Sequence, residues 1–505
     1  MEQLQKQLRW AEMRIQSLEE LLRLARIAKY GPGSEKLNSA QLELLEFEPG
    51  VSVEEVAAES KREPLPPAAT QKKRKTHPGR QTLPADLPRV ERLLPSTPEQ
   101  CTCRICGGET AVIGYEQSEQ LDVKPAEYFV SVNKREKRAC QACEEGGVVT
   151  APLPARIMVS GLPVGDCFAI IDKSLVSDQI IINTVIAKYC DHLPLYRQSA
   201  ILERETGIEI SRATLDGWVM RVGGLLLPIV ASIGKELLAG SYLQADETPV
   251  DVQSKDKRGK NHQAYLWQYG SPGGSVVFDF RMGRGREGPK LFLGPFGGIL
   301  QTDGYAAYDK VGGAGMVHAA CWAHSRRKFF DALKLNPDDR IAALIVKQID
   351  ELFGIDAEAR ANNLDYAARH ALRSERSVPL LKLIREQVES AKVSALPAST
   401  LGKAAAYTLN LWVKLTRFLE HPELELSNNL AENSMRPLVL GRKNWIHVGS
   451  QLAGPKVAAI LSVVESCRRL KVSLRDYLSA VLPGLADLPV KQVSRLTPSA
   501  WAAAR

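Results

Sequence analysis

The run Gly-Ser-Tyr-Leu-Gln-Ala-Asp-Glu-Thr-Pro-Val-Asp-Val-Gln at 240–253 constrains this chain most. Its side chains alternate in character up to Pro249, as a half-buried strand requires, and the alternation puts the carboxylate of Asp246 near the middle. A charge held there needs a partner. A second strand-like run, Gly-Gly-Ile-Leu-Gln-Thr-Asp-Gly-Tyr at 297–305, ends its apolar part at Asp303, just before a glycine that permits a tight turn. Far downstream, Ser-Asn-Asn-Leu-Ala-Glu-Asn-Ser-Met-Arg-Pro at 427–437 places Asn429, Glu432, Asn433 and Arg436 at helical spacing, on one face. Taken singly, each acid reads as an ordinary surface or turn residue, because carboxylates are rarely buried without partners. Together, a strand acid, a strand-end acid and a helix glutamate are oxygen donors on rigid elements, which is what two hard cations need.

The runs Ala-Asp-Glu-Thr-Pro, Thr-Asp-Gly-Tyr-Ala-Ala-Tyr, Cys-Trp-Ala-His-Ser-Arg-Arg-Lys-Phe and Asn-Asn-Leu-Ala-Glu-Asn-Ser-Met-Arg-Pro resemble those of bacterial DDE transposases of the insertion-sequence sixty-six family. The likeness covers nearly the whole chain, in the family's order. It implies that Asp246, Asp303 and Glu432 are the catalytic triad of a ribonuclease H-like domain.

Charge and cysteine usage fit a nucleic-acid partner and a reducing compartment. Lys plus Arg outnumber Asp plus Glu by 66 to 58, and the excess gathers at 71–80, 134–138, 255–260 and 324–328. One such cluster is an ordinary solvated face; four on separate elements suit a long charged backbone such as double-stranded DNA. Of nine cysteines, four form two close pairs, Cys103-x-x-Cys106 and Cys140-x-x-Cys143, with 33 residues between them (107–139). Two such knuckles supply the tetrahedral sulfur set that zinc favours, as a closed structural site. Cys101, two residues upstream, competes with Cys103 as the first ligand. Tyr128–Val132 reads as a strand crossing the gap. No apolar run reaches the ~18 residues of a membrane span and no leader is visible, so a cytoplasmic protein without membrane contact is expected.

In order, Leu4, Leu8, Ala11, Ile15, Leu18, Leu22 and Ala25 step by four and three, the seam of a coiled coil or of an amphipathic helix packed on its own chain. The resemblance favours the former, and with it a homo-oligomer. An acidic, Pro-rich stretch then reads as a linker. Helices are expected at Gln179–Cys190 and Leu195–Glu205, then a turn at Gly207 and a helix capped by Ser211, an arrangement like a helix-turn-helix with the last helix as reader. Strands at 263–269 and 275–282, a helix at 286–293, the Asp303 strand and a further strand at 316–321 follow. Between Asp303 and Glu432 lie 128 residues (304–431), with helical periodicity over much of 336–421.

The expected architecture is multidomain α+β. An N-terminal helical segment (1–48) and a basic, Pro-rich linker (49–80) lead to a zinc module (81–160) and a helix-turn-helix-like region (161–239). A ribonuclease H-like core of mixed sheet flanked by helices (240–335 and 422–482) is interrupted by an all-helical insertion (336–421) and followed by a tail (483–505). The triad would hold two Mg²⁺ ions, with Mn²⁺ as a substitute, for in-line cleavage and strand transfer at the element's terminal repeats. His324, Arg326, Arg327, Asn429, Arg436 and Lys443 are the candidate contacts to phosphate. Companion proteins of the same element are possible partners. The competing reading is a DNA-binding regulator of transposition that has lost catalysis.

Overall fold

The computed structural model describes residues 176–253 and 261–504. It also describes Ile15, Leu18, Tyr128, Phe129 and the stretches 137–139, 148–150, 157–160 and 167–169. The heptad seam other than Ile15 and Leu18, the linker, Cys103, Cys106, Cys140, Cys143 and the basic loop 254–260 lie outside the described residues. The chain divides into two compact units, Arg62–Lys134 and the remainder. In the first, Tyr128 and Phe129 belong to no strand and Phe129 is 82% exposed, so the strand expected at 128–132 is absent at its first two positions. A strand survives on a neighbour's ladder and a buried face, and an aromatic this exposed has no buried face to supply.

In the second unit, two short antiparallel pairs, Lys137–Ala139 with Val148–Thr150 and Met158–Ser160 with Cys167–Ala169, precede α1 (Asp178–Tyr189), α2 (Leu195–Thr206) and α3 (Arg212–Ala239). Local chemistry sets their ends. Gly207 stops α2 in the left-handed region at φ 72°, and the Ser211 hydroxyl accepts from the Thr214 N–H at 3.2 Å to start α3. The expected reader helix runs for 28 residues, and Leu215, Val219, Val222, Leu226, Ile229 and Ile233 form a continuous buried stripe. By length and composition α3 is the one described helix apolar enough to cross a membrane, but that stripe is spent on the protein's own core. Its exposed start is the first turn, with Arg212 and Thr214, and Asp216.

The central sheet is mixed. β1 (Tyr242–Val252) pairs antiparallel with β2 (His262–Gly270), which pairs antiparallel with β3 (Val276–Arg281) across the turn Ser-Pro-Gly-Gly. After α4 (Glu287–Leu293), β4 (Ile299–Thr302) runs parallel to β1, and β5 (Val317–Ala320) parallel to β4. The order is β3-β2-β1-β4-β5.

Helices follow: α5 (Trp322–Leu335), α6 (Arg340–Ala361), α7 (Tyr366–Leu372), α8 (Val378–Ser394), α9 (Thr400–Asn410) and α10 (Trp412–Leu415). They build their own core around Phe329, Ile345, Ile349, Ile384 and Phe418, joined to the sheet through Tyr242, Ile299 and Ala319. The chain then returns as α11 (Asn429–Trp445), a two-residue strand β6 (His447–Val448) parallel to the end of β1, and α12 (Gly454–Arg469). Hydroxyls of Ser462 and Ser466 on α12 accept from the backbone N–H groups of Phe278 and Val276, tying α12 to the edge strand β3. Gly223 lets α3 reach α12, since a Cβ there would sit 2.7 Å from the Lys456 carbonyl oxygen. The last residues pack as well: α13 (Leu474–Val481) and α14 (Pro498–Ala503) meet where Trp501 stands edge-on to Tyr477, at 5.8 Å.

Candidate active site

Asp246 lies at the centre of β1, in register with Gln268 of β2. Residues two apart on a strand share a face, so Asp246 lies on the face of Gln244 and Thr248. That face is the one α11 covers, since Arg442 of α11 donates to the Thr248 hydroxyl at 2.9 Å. Asp303 follows directly on β4, whose Gln301 pairs with Gln244 of β1. A tight turn holds it. Gly304 takes φ 91°, its N–H donates to the Thr302 hydroxyl at 3.0 Å, and the Tyr305 N–H donates to Asp303 Oδ1 at 2.8 Å. Glu432 sits in the first turn of α11, where the helix N-terminus favours negative charge. The segment before it reaches β1 through Asn428, whose side-chain amide donates to the Ala245 carbonyl at 3.5 Å.

The other acids act on Asp246. Burial pushes the Asp246 carboxyl well above the usual carboxylate range, and the charges of Glu432, Glu247 and Asp303 push it further, against one hydrogen bond from the Glu247 N–H. Basic groups are close but do not neutralise the cluster. His324 Nε2 is 3.5 Å from Glu432 Oε1 and Arg327 is 3.7 Å from Oε2, ion-pair distances without hydrogen-bond geometry at Oε1. Burial, then Arg327 and Lys328, hold the His324 imidazole below its ordinary value against the pull of Glu432 and Asp303.

This donor set fits divalent cations. Glu432 Oε1, Asn429 Oδ1 and Asn428 Oδ1 are buried without a hydrogen-bond partner, and oxygen donors of this kind are what hard cations bind. Among the described residues no three His, Cys, Asp or Glu side chains stand together at ligating spacing. In the arrangement shown, the three acids therefore do not form a ready-made ion cage.

The other expected contacts separate. His324 and Arg327 on α5 face Glu432, while Arg326 turns to α6 and forms a two-pronged pair with Asp350, its Nη2 at 3.0 Å from Oδ2. Asn429 is buried beside Glu432, and Arg436 and Lys443 are exposed further along α11. Cys321 is buried, accepts from the Asn428 N–H at 3.5 Å, and has its thiol pushed up to about 12 by burial. It seats the start of α11.

Several neighbours escaped the sequence reading. Glu247, on the opposite face of β1, is buried, accepts from Tyr308 at 2.9 Å, and pairs with Arg284 at 2.7 Å. Arg284 lies 4.1 Å over the Tyr305 ring. Both tyrosines stand in the run Thr-Asp-Gly-Tyr-Ala-Ala-Tyr, so a signal existed there. Gln268, fully buried beside Asp246, has neither side-chain polar atom partnered. From the helical block, the Tyr407 hydroxyl donates to the Asp303 carbonyl, and Lys328 lies 4.4 Å over the Tyr407 ring.

Three family profiles match the chain. One described as "Transposase IS66 family" covers residues 173–455, with Asp246, Asp303 and Glu432 inside it. "Zinc-finger binding domain of transposase IS66" covers 100–144, which holds both Cys-x-x-Cys pairs, and "Transposase C of IS166 homeodomain" covers 17–92. Relatives include two proteins of Sinorhizobium fredii, both named as uncharacterized. Protein y4qI is 31% identical over 97% of this chain and 89% of its own length, and protein y4hP is 30% identical over 97% and 88%. With a zinc-finger domain ahead of a DDE domain built on a mixed sheet and flanking helices, the chain belongs to the IS66 family of transposases.

Proposed function

We propose that this protein is an active DDE strand transferase, which cleaves DNA at the ends of its element and joins them to a target. What supports the reading is the setting of Asp246, on the sheet face that α11 covers and acted on by the charges of Glu432, Glu247 and Asp303, together with a Glu432 Oε1 that has no hydrogen-bond partner. The strand order β3-β2-β1-β4-β5 supports a ribonuclease H-like core, formed by 240–335 and 422–482, with 336–421 as a helical insertion beside the site.

Asp246, Asp303 and Glu432 would hold two Mg²⁺ ions, or Mn²⁺ in their place. Such a pair supplies activation of the attacking oxygen and stabilisation of the leaving oxygen in an in-line displacement at phosphorus. The chain's own residues do the rest. β1 and the turn at Asp303 hold the backbones of two of the three acids on fixed elements before DNA arrives. Arg327 and His324 flank Glu432, and with Lys328 over the Tyr407 ring they offer donors to a phosphate on the scissile strand. Arg326 is engaged by Asp350 and serves the placement of α5 before it serves DNA. Asn429 orients an oxygen beside Glu432, and Arg436 and Lys443 extend the cationic track along α11.

Upstream, Cys103, Cys106, Cys140 and Cys143 would bind one structural Zn²⁺, and the exposed start of α3 with α2 would read the terminal repeats. The N-terminal heptads would pair copies of the chain. The test is a strand-transfer assay with the element's own ends and Mg²⁺, with and without companion proteins. Wild-type protein nicks and joins, whereas Asp246→Asn binds ends without nicking. End binding without nicking by the wild type would favour the regulator.

A further inference from the structure

Beneath the three acids runs a layer of buried amides that ties their elements together. Gln244 stands two residues before Asp246 and Gln301 two residues before Asp303, on adjacent parallel strands, and the register sets the two glutamines side by side. They are 1% and 0% exposed, positions where an aliphatic residue would ordinarily sit. Gln244 Nε2 donates to Gln301 Oε1 at 2.9 Å. Both side chains then reach the segment that leads into α11: Gln244 Nε2 donates to the Ser427 carbonyl at 3.0 Å, and Gln301 Nε2 to the Glu425 carbonyl at 2.7 Å. The Tyr242 hydroxyl completes the layer, donating to Gln301 Oε1 at 2.6 Å and accepting from the Glu425 N–H at 3.3 Å. Each acid of the candidate site is thus carried by an element hydrogen-bonded into one polar layer.

We propose that Gln244, Gln301 and Tyr242 are positioning residues that set the register of the Glu432 helix against the two aspartate strands, and so tune divalent-cation binding by the three carboxylates. The inference rests on the reading of Asp246, Asp303 and Glu432 as the metal site. Buried polar layers specify one arrangement of backbones where apolar packing tolerates several. In this register the two amides satisfy the carbonyls of Ser427 and Glu425.

The test uses the full chain and two readouts: the Mg²⁺ dependence of nicking on end-containing DNA, and Mn²⁺ binding followed by electron paramagnetic resonance without DNA. Gln301→Met and Gln244→Met keep side-chain length and remove the hydrogen bonds. Each is expected to raise the half-saturating metal concentration on the order of 10-fold, with the maximal rate regained at high Mg²⁺. Tyr242→Phe, which keeps the ring, shifts it about threefold. The double glutamine variant shifts it by less than the product of the single shifts, because the two side chains share a hydrogen bond. Leu381→Ala in the helical core is the control for lost stability, lowering the melting temperature without moving the half-point. Unchanged half-points in folded glutamine variants would overturn the proposal; if these do not fold, Tyr242→Phe alone decides by the same criterion. Wild-type Mn²⁺ binding that survives Asp246→Asn undiminished sinks the metal-site reading instead, whatever the glutamine variants do.

Discussion

Two acidic clusters in this molecule are built from the same side chains and end in opposite states. In the helical block, Asp356 is buried and met by cations on every side. Arg373, itself fully buried, grips it with Nε at 2.8 Å and Nη2 at 2.9 Å, and Arg369 adds a bond at 2.7 Å. The spare donors of Arg373 reach the Phe418 and Leu424 carbonyls at 2.9 and 2.8 Å, and Arg369 and Arg360 also pair with Glu425. Burial works to raise the Asp356 carboxyl, but the hydrogen bonds and charges of Arg373 and Arg369 outweigh it and hold it below the usual range. At the sheet, Asp246 is pushed well above that range by burial and by other acids, and Glu432 keeps an unpartnered oxygen. A cluster that supplies its own cations is architecture; a cluster left short of them is what the proposed metal-site reading rests on.

The contrast makes removal of charge act in opposite directions. Asp246→Asn is expected to lower nicking by at least about 10³-fold, roughly 4 kcal/mol in the barrier. Because it relieves repulsion among the acids, the same change leaves the melting temperature equal or higher, and end binding by gel shift is unchanged. A variant that keeps transferring strands would erase the distinction. Asp356→Asn strands a buried guanidinium and should cost about 3 kcal/mol of unfolding free energy, read from urea denaturation. Metal dependence of nicking by the folded fraction should stay as in the wild type.

Acid sharpens the difference further. The Asp356 carboxyl is depressed in the folded state, so its contribution is present above the ordinary carboxylate range and is lost as pH falls through the folded value. Urea midpoints measured downward from pH 5 should therefore fall less steeply in Asp356→Asn than in wild type; parallel slopes would refute the linkage. The smallest effect is at Glu247, buried but paired. Tyr308→Phe removes one hydrogen bond to it and should cost about 1 kcal/mol, without the loss of nicking seen at Asp246.

What was legible in the chain was what local chemistry decides. The Ser211 cap, the stop at Gly207, the Ser-Pro-Gly-Gly hairpin and the alternation around Asp246 are short-range features, and each stands where its residues direct it. The assignment of the three acids comes from a family resemblance in motif order rather than from local chemistry, and it stands as a proposal. Long-range pairings left no such trace. Arg326 and Arg327 are neighbours in a basic run, yet one faces Asp350, 24 residues away, and the other faces Glu432. Helical rotation sends adjacent side chains about 100° apart, and nothing in the run says which faces DNA. The tie of Gln244 to Gln301, 57 residues on, is likewise visible only once the strands are paired. The sequence reading takes α3 for a reader helix and misses its apolar stripe, whose burial involves α12, a helix more than two hundred residues away.

The most direct measurement replaces Mg²⁺ with Fe²⁺ in the full-length protein and maps where hydroxyl radicals generated at the bound iron cut the polypeptide. The account predicts three clusters of cuts, near Asp246, Asp303 and Glu432, all suppressed by excess Mg²⁺ and lost in Asp246→Asn. Cuts confined to other parts of the chain, or cuts at one of these positions that ignore both Mg²⁺ and the substitution, would contradict it.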